Sequence, residues 1–144
     1  MVATDSRPLR MTAFFGLLGE HFVAGRLAEA ARAWSFPCPV EIDGQLVVMR
    51  SAEVFEAYLA ERREVALAAG MTALTPRVSA IEMPRKGRFR VWLRWVTRYG
   101  ESVQEEDHGT VYFMAFTPDG RLTIEMMDIV QLPTAQTAAA AQSA

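Results

Sequence analysis

The chain is poor in the residue types from which several large functional classes are built. Cys38 is its one cysteine, so no disulfide can close within a chain and no cysteine cluster can hold a metal. Its two histidines, His21 and His108, stand far apart in sequence without an HExxH helix, so no metal site is expected. A glycine-rich phosphate loop, a GxGxxG turn and a serine elbow are all missing, and no cofactor is expected. No internal repeat of solenoid or propeller length is present. No run approaches the ~18 uncharged apolar residues of a membrane span. The opening MVATDSRPLR lacks an apolar stretch behind a basic start, so the expected location is cytoplasmic, with no membrane partner. A net charge of −2 and a pI near 5.7 leave no general excess of positive charge for a polyanion.

What remains is the composition of a globular protein. The 144 residues are 51% hydrophobic and 22% charged, enough for one domain with a real core. The expectation is a single domain over 1–133 and a flexible, Ala/Gln-rich tail over 134–144. Asp5 or Ser6 followed by Pro8 marks a helix start, and Phe14, Leu18, His21 and Phe22 recur at helical spacing until Gly25. A second short helix follows in RLAEAARAW. Pro37 and Pro39 enforce an extended connector, and VEID and QLVVMR flank Gly44 as two short strands. Ser51 caps a long helix in which Phe55, Tyr58, Leu59, Arg62, Val65, Ala66 and Ala69 share a stripe, with Gly70 at its end.

From Thr72 to Pro133 the pattern changes to four strand-like segments. In RFRVWLRWVTRY, the positions Phe89, Val91, Leu93, Trp95, Thr97 and Tyr99 alternate with Arg88, Arg90, Arg94 and Arg98, which is the period of a strand with one buried face. A two-residue turn at Gly100 and Glu101 sets Tyr99 opposite Ser102 and, counting outward, Leu93 opposite His108 and Arg94 opposite Asp107. Thr117, Pro118, Asp119 and Gly120 read as a type I turn closed by a glycine bulge. That sets Phe116 opposite Leu122 and Thr110 opposite Asp128. On these registers His108, Tyr112, Met126 and Asp128 share a face with Trp95, and a one-residue slip would move half of them to the other side.

Helix, helix, two short strands, long helix and four long strands make an α+β chain with its helices gathered on one face of a curved antiparallel sheet. With EHFVAGRLAEAARAW, SAEVFEAYLA and TPDGRLTIEMMDIVQL as the carrying segments, this order resembles the nuclear transport factor 2-like superfamily, which includes SnoaL-like polyketide cyclases and ketosteroid isomerases. The resemblance covers roughly Leu9 to Pro133. It implies a cone whose concave sheet face is covered by the N-terminal helices and one long helix, with a pocket between them and frequently a homodimer. It assigns no catalytic residue by position, because the superfamily shares no single catalytic motif.

Within such a pocket His108 and Asp128 are the candidate proton-handling pair, because a carboxylate beside an imidazole in apolar surroundings can divide acid and base roles. Tyr112 is the candidate donor to a developing oxyanion. A histidine and an aspartate near strand ends are also commonly satisfied by backbone or solvent. Trp95, Tyr99, Met114, Phe116 and Met126 are candidate ligand-lining residues, and core packing accounts for the same alternation. His21 joins that set if its helix aims it into the cone, although a lone histidine on an apolar face is ordinarily a hydrogen-bonded core residue. Cys38 is expected to pack rather than react.

The remaining pattern lies on the opposite face. Arg85, Lys86, Arg88, Arg90, Arg94 and Arg98 with Trp92 among them resemble a nucleic-acid strip, but Glu105 and Asp107 lie across the sheet to pair them, so no nucleic acid is expected. The apolar residues on that face suit a two-fold interface formed by Trp92, Arg94, Val96, Phe113 and Met127. The functional expectation is a small hydrophobic molecule in the cone, with cofactor-independent acid–base chemistry of isomerase, cyclase or dehydratase type. The alternative is a non-catalytic dimerisation or interaction module.

Overall fold

The computed structural model describes residues 6–42, 44–105 and 108–131. Helix α1 (Arg7–Ala24) begins behind Ser6 with Pro8 in its first turn, where a missing backbone N–H costs nothing. Gly25 ends it at φ 80°, and the Arg26 N–H closes the end on the His21 carbonyl at 2.9 Å. A short helix α2 (Leu27–Ala31) follows, then strands β1 (Cys38–Ile42) and β2 (Gln45–Met49). The Ser51 hydroxyl accepts the Val54 N–H at 3.3 Å and caps α3 (Ala52–Ala68). Strands β3 (Met71–Ile81), β4 (Arg88–Tyr99), β5 (Ser102–Glu105), β6 (His108–Phe116) and β7 (Leu122–Gln131) complete the described chain. No helix among the described residues is long and apolar enough to cross a membrane.

The strands form one open sheet in the order β2-β1-β7-β6-β4-β3, with β5 also paired to β4. The expected antiparallel pattern holds for every strand pair except β1 with β7, which run parallel through Val40↔Met127 and Glu41↔Asp128. The connector after α2 prepares that pairing. Ala33 and Ser35 exchange backbone hydrogen bonds with Ile124 at 2.8 and 2.9 Å, so the chain is already running beside β7 when β1 begins.

The helices cover one face of the sheet. Met11, Phe15 and Leu18 from α1 and Phe55 from α3 bury against Val91, Leu93, Trp95, Tyr112, Met114 and Ile124, forming the core of a cone-shaped α+β fold. The tightest approach is at Gly19, where an added Cβ would lie 2.5 Å from the Leu74 carbonyl oxygen and 3.2 Å from Cζ3 of Trp95. Only a residue without a side chain lets α1 lie this close to β3. Arg63 fastens α3 to the same helix, its Nε and Nη2 donating to the Val23 carbonyl at 3.3 and 3.1 Å, a cation placed at a helix C-terminus where the dipole favours it.

Two registers differ from the sequence expectation. Tyr99 does face Ser102, but β6 joins β4 two residues further on than continuous counting gives, so Leu93 faces Thr110 rather than His108. The third long segment is therefore two strands. Phe116 faces Leu122 as the turn dictates, yet between Phe113↔Met126 and Met114↔Ile124 strand β7 carries one extra residue, Glu125. This bulge reverses the side-chain alternation that follows. Thr110 faces Ile129, Val111 faces Asp128 and Tyr112 faces Met127. The side chains of Asp43, Glu106, Asp107 and His108 and the 132–144 segment lie outside the described residues.

Three outcomes follow from this packing. Gly19→Ala gains about 1 kcal/mol of helix propensity but drives a methyl group into backbone that cannot swing aside, an overpacking penalty of about 1–3 kcal/mol; thermal unfolding of the variant is expected at a lower Tm than the parent. Cys38 is buried, and that burial pushes its thiol from an ordinary 9.0 up to about 11. A thiol reagent at mildly alkaline pH is expected to leave it untouched in the folded protein and to modify it in denaturant. Because the unfolded thiol ionises first, stability falls as pH rises from 9.0 towards about 11, which unfolding curves across that window will register.

Candidate functional site

Between the helices and the concave face of the sheet lies a cavity of about 600 Å³. Alternation along the strands decides what enters it. Trp95, Thr97 and Tyr99 come from β4, Thr110 and Tyr112 from β6, and Met127 and Ile129 from β7, each pointing to the helical side. The 3.6-residue repeat of α3 supplies the facing wall through Phe55, Tyr58, Leu59, Arg62, Val65 and Ala66. Leu18 and Phe22 of α1 and Trp34 after α2 close the remaining sides.

Aromatic packing fixes the cavity's inner end. Phe15 meets Trp95 edge-on with centroids 6.3 Å apart and lies 4.7 Å from the Tyr112 ring. The Trp95 indole N–H donates to the Tyr112 hydroxyl at 2.9 Å inside this layer. On the opposite side Trp34 packs edge-on against Phe55 at 4.5 Å, and its indole N–H donates to the Met127 sulfur at 3.1 Å. Both indole donors are thus satisfied by neighbouring side chains. The hydroxyls of Thr97 and Thr110 differ. Both residues are more than nine-tenths buried, both line the cavity, and neither hydroxyl has a hydrogen-bond partner among the described residues.

The structure separates the sequence candidates. Trp95, Tyr99 and Tyr112 line the cavity. Met114 and Phe116 lie beyond it in the core, Phe116 against Phe89 at 5.5 Å and beneath the Arg10 guanidinium at 5.3 Å. Asp128 and Met126 are on the opposite face, turned there by the Glu125 bulge. The expected pairing of Asp128 with His108 inside the cone therefore fails at Asp128, while the side chain of His108 lies outside the described residues. His21 is half-buried at the end of α1, where its Nδ1 accepts from Arg26 Nε at 2.9 Å, and it does not line the cavity. Met127, expected at a dimer face, is inside the cone for the same reason that Asp128 is not.

Trp92, Arg94, Val96 and Phe113 do share the outer face, all half-buried. Ion pairs flank them: Arg77–Glu105 at 3.2 Å, Arg88–Glu125 at 3.0 Å and Arg90–Glu82 at 2.6 Å. Hydrogen bonds from Arg90 hold the Glu82 carboxyl below the usual range, and the Arg90 guanidinium lies over the Trp92 ring at 5.0 Å. Arg88 and Arg90 of the basic strip are thus paired with carboxylates, while Glu105 serves Arg77 of the neighbouring strand rather than an arginine of β4.

Sequence reasoning missed Thr97 and Thr110 as polar cavity groups, Arg62 as a cavity residue, and Met127. Arg62 carried a visible signal, an arginine inside an otherwise apolar helical stripe.

No protein-family model matches the chain, and no curated protein matches it. Solved structures do. A cystatin-like domain from Nostoc punctiforme superposes with a TM-score of 0.71 at 11% identity, covering 98% of this chain and 86% of the other. An NTF2-like protein with a cystatin-like fold from Novosphingobium aromaticivorans gives 0.62 at 10% identity, covering 90% and 84%. A candidate scytalone dehydratase from the same organism gives 0.57 at 11% identity, covering 91% and 89%. The order of elements, the helix-covered sheet and these superpositions together give the chain a cystatin-like cone fold of the kind seen in nuclear transport factor 2-like proteins.

Proposed function

We propose that this protein binds a small, mainly apolar molecule inside its cone. The observation that carries the reading is the cavity itself: about 600 Å³, walled by aromatic and aliphatic side chains with a few convergent hydroxyls. Small-molecule sites typically occupy roughly 300–1,000 Å³ with that balance of surfaces. Acid–base chemistry of isomerase, cyclase or dehydratase type, run without a bound cofactor, is the reaction class that suits such a site, and the candidate dehydratase among the similar structures supports it. Its proton-handling groups would be Tyr112, positioned by the Trp95 indole, together with His108 on the same strand. Asp128 takes no part. The described cavity residues include no carboxylate, which favours binding over turnover where the two readings divide.

A second proposal concerns the outer sheet face. Trp92, Val96, Val111, Phe113 and Met126 form an apolar strip between the flanking ion pairs, and a second copy of the chain laid across it by a two-fold axis would cover it.

Ala66 lines the cavity from α3, so Ala66→Trp fills it without altering a sheet residue. The variant, folded by circular dichroism, is expected to lose affinity for the neutral apolar dye Nile red by about tenfold or more, equivalent to ~1.4 kcal/mol. Unchanged affinity would place the dye, and the proposed site, elsewhere. For the outer face, sedimentation of the parent at micromolar concentration is expected to show a dimer and Phe113→Glu a monomer; a monomeric parent contradicts the interface.

A further inference from the structure

Resting on the cavity-binding reading, we infer that the ligand is an amphipathic acid: an apolar, ring-sized body carrying one carboxylate and at least one hydroxyl or carbonyl oxygen. Arg62 is the sole charged residue among the described residues that line the cavity. It lies on the stripe of α3 that faces the sheet, and its neighbours one turn away in both directions are Tyr58, Leu59, Val65 and Ala66, all cavity residues and none of them acidic. No carboxylate pairs with it among the described residues, whereas Arg77, Arg88, Arg90 and Arg121 each hold one within 3.2 Å. The adjacent Arg63 is committed to the Val23 carbonyl. An exposed arginine that lines an apolar cavity and holds no carboxylate among the described residues is placed to meet an anion on the ligand, with its planar donor fork matching a carboxylate.

The deeper wall supplies the second requirement. Thr97 and Thr110 are more than nine-tenths buried yet keep their hydroxyls unpartnered and open to the cavity. A hydroxyl open to the cavity loses its water when an apolar body displaces it, so an occupant that presents an oxygen or nitrogen there is favoured over one that does not. Gln104 lies directly across from Thr97 on β5, is exposed and also lines the cavity, so polar groups reach from its buried wall to its open edge. The apolar surfaces of Phe55, Leu59 and Trp95 enclose the body between these two polar ends.

Binding of naphthoate, its neutral amide naphthamide and a hydroxynaphthoate, followed by calorimetry on the full chain, tests the assignment. Naphthoate is expected to bind roughly five- to tenfold more tightly than naphthamide, the range for a charge-assisted pair at a partly exposed site. Arg62→Gln is expected to erase that ratio by lowering naphthoate affinity to the level of naphthamide. Thr97→Val, which keeps the side-chain shape, is expected to erase the preference for hydroxynaphthoate over naphthoate. Equal binding of acid and amide to the parent would overturn the anionic ligand while leaving the apolar cavity site intact. An acid preference that survives in Arg62→Gln would overturn the role of Arg62. Failure of all three probes, together with Nile red, to bind would overturn the cavity reading on which the inference rests.

Discussion

One inserted residue decides which chemistry this cone contains. Glu125 sits where β7 has two residues against one on β6, and from that point the strand's alternation is reversed. Met127 and Ile129 face the helices; Met126 and Asp128 face away. The parallel pairing with β1 extends the same assignment, since Val40 beside Met127 is buried in the core and Glu41 beside Asp128 is not. The bulged residue itself is held outside by Arg88. A cavity that continuous alternation would have supplied with a carboxylate is lined there by a thioether and an isoleucine.

The helical lid depends on a second constraint, the approach of α1 to β3 at Gly19. That close approach accompanies the packing of Phe15 against both Trp95 and Tyr112 at the inner end. Arg63 joins α3 to the end of α1, so the two helices that wall the cavity are coupled by a cation at a helix terminus as well as by packing. The cavity survives because α3 presents small and flexible residues, Ala66, Ala69 and Arg62, where larger apolar side chains would have filled the space between helix and sheet.

Much of the fold was legible in the sequence because its signals are local. Pro8 and Gly25 bracket α1, Ser51 caps α3, Gly100 closes a hairpin and the arginine alternation of β4 names its buried face. The site was less legible because it depends on register, and register accumulates every insertion along a strand. The two-residue offset between β5 and β6 displaced His108 from Leu93, and the bulge displaced Asp128 from the cone. The bulge did leave a trace: Ile124, Met127 and Ile129 are separated by three and then two residues, a phase slip that a strict period of two cannot accommodate. Arg62 was visible too, in a stripe where a charge has no core role. Thr97 was on the buried face from the start, but whether a buried threonine meets protein or open cavity is settled by packing from distant segments.

The central claim is that the β7 bulge places Met127 inside the cone and Asp128 outside it. The most direct measurement is NMR of protein labelled at its methionine methyl groups, following contacts to the tryptophan indoles with and without a cavity-bound apolar probe. The account predicts a contact between the Met127 methyl and the Trp34 ring, and a probe-induced shift at Met127 but not at Met126. A shift at Met126, with Met127 unaffected and remote from Trp34, would put the opposite face of β7 in the cone and contradict it.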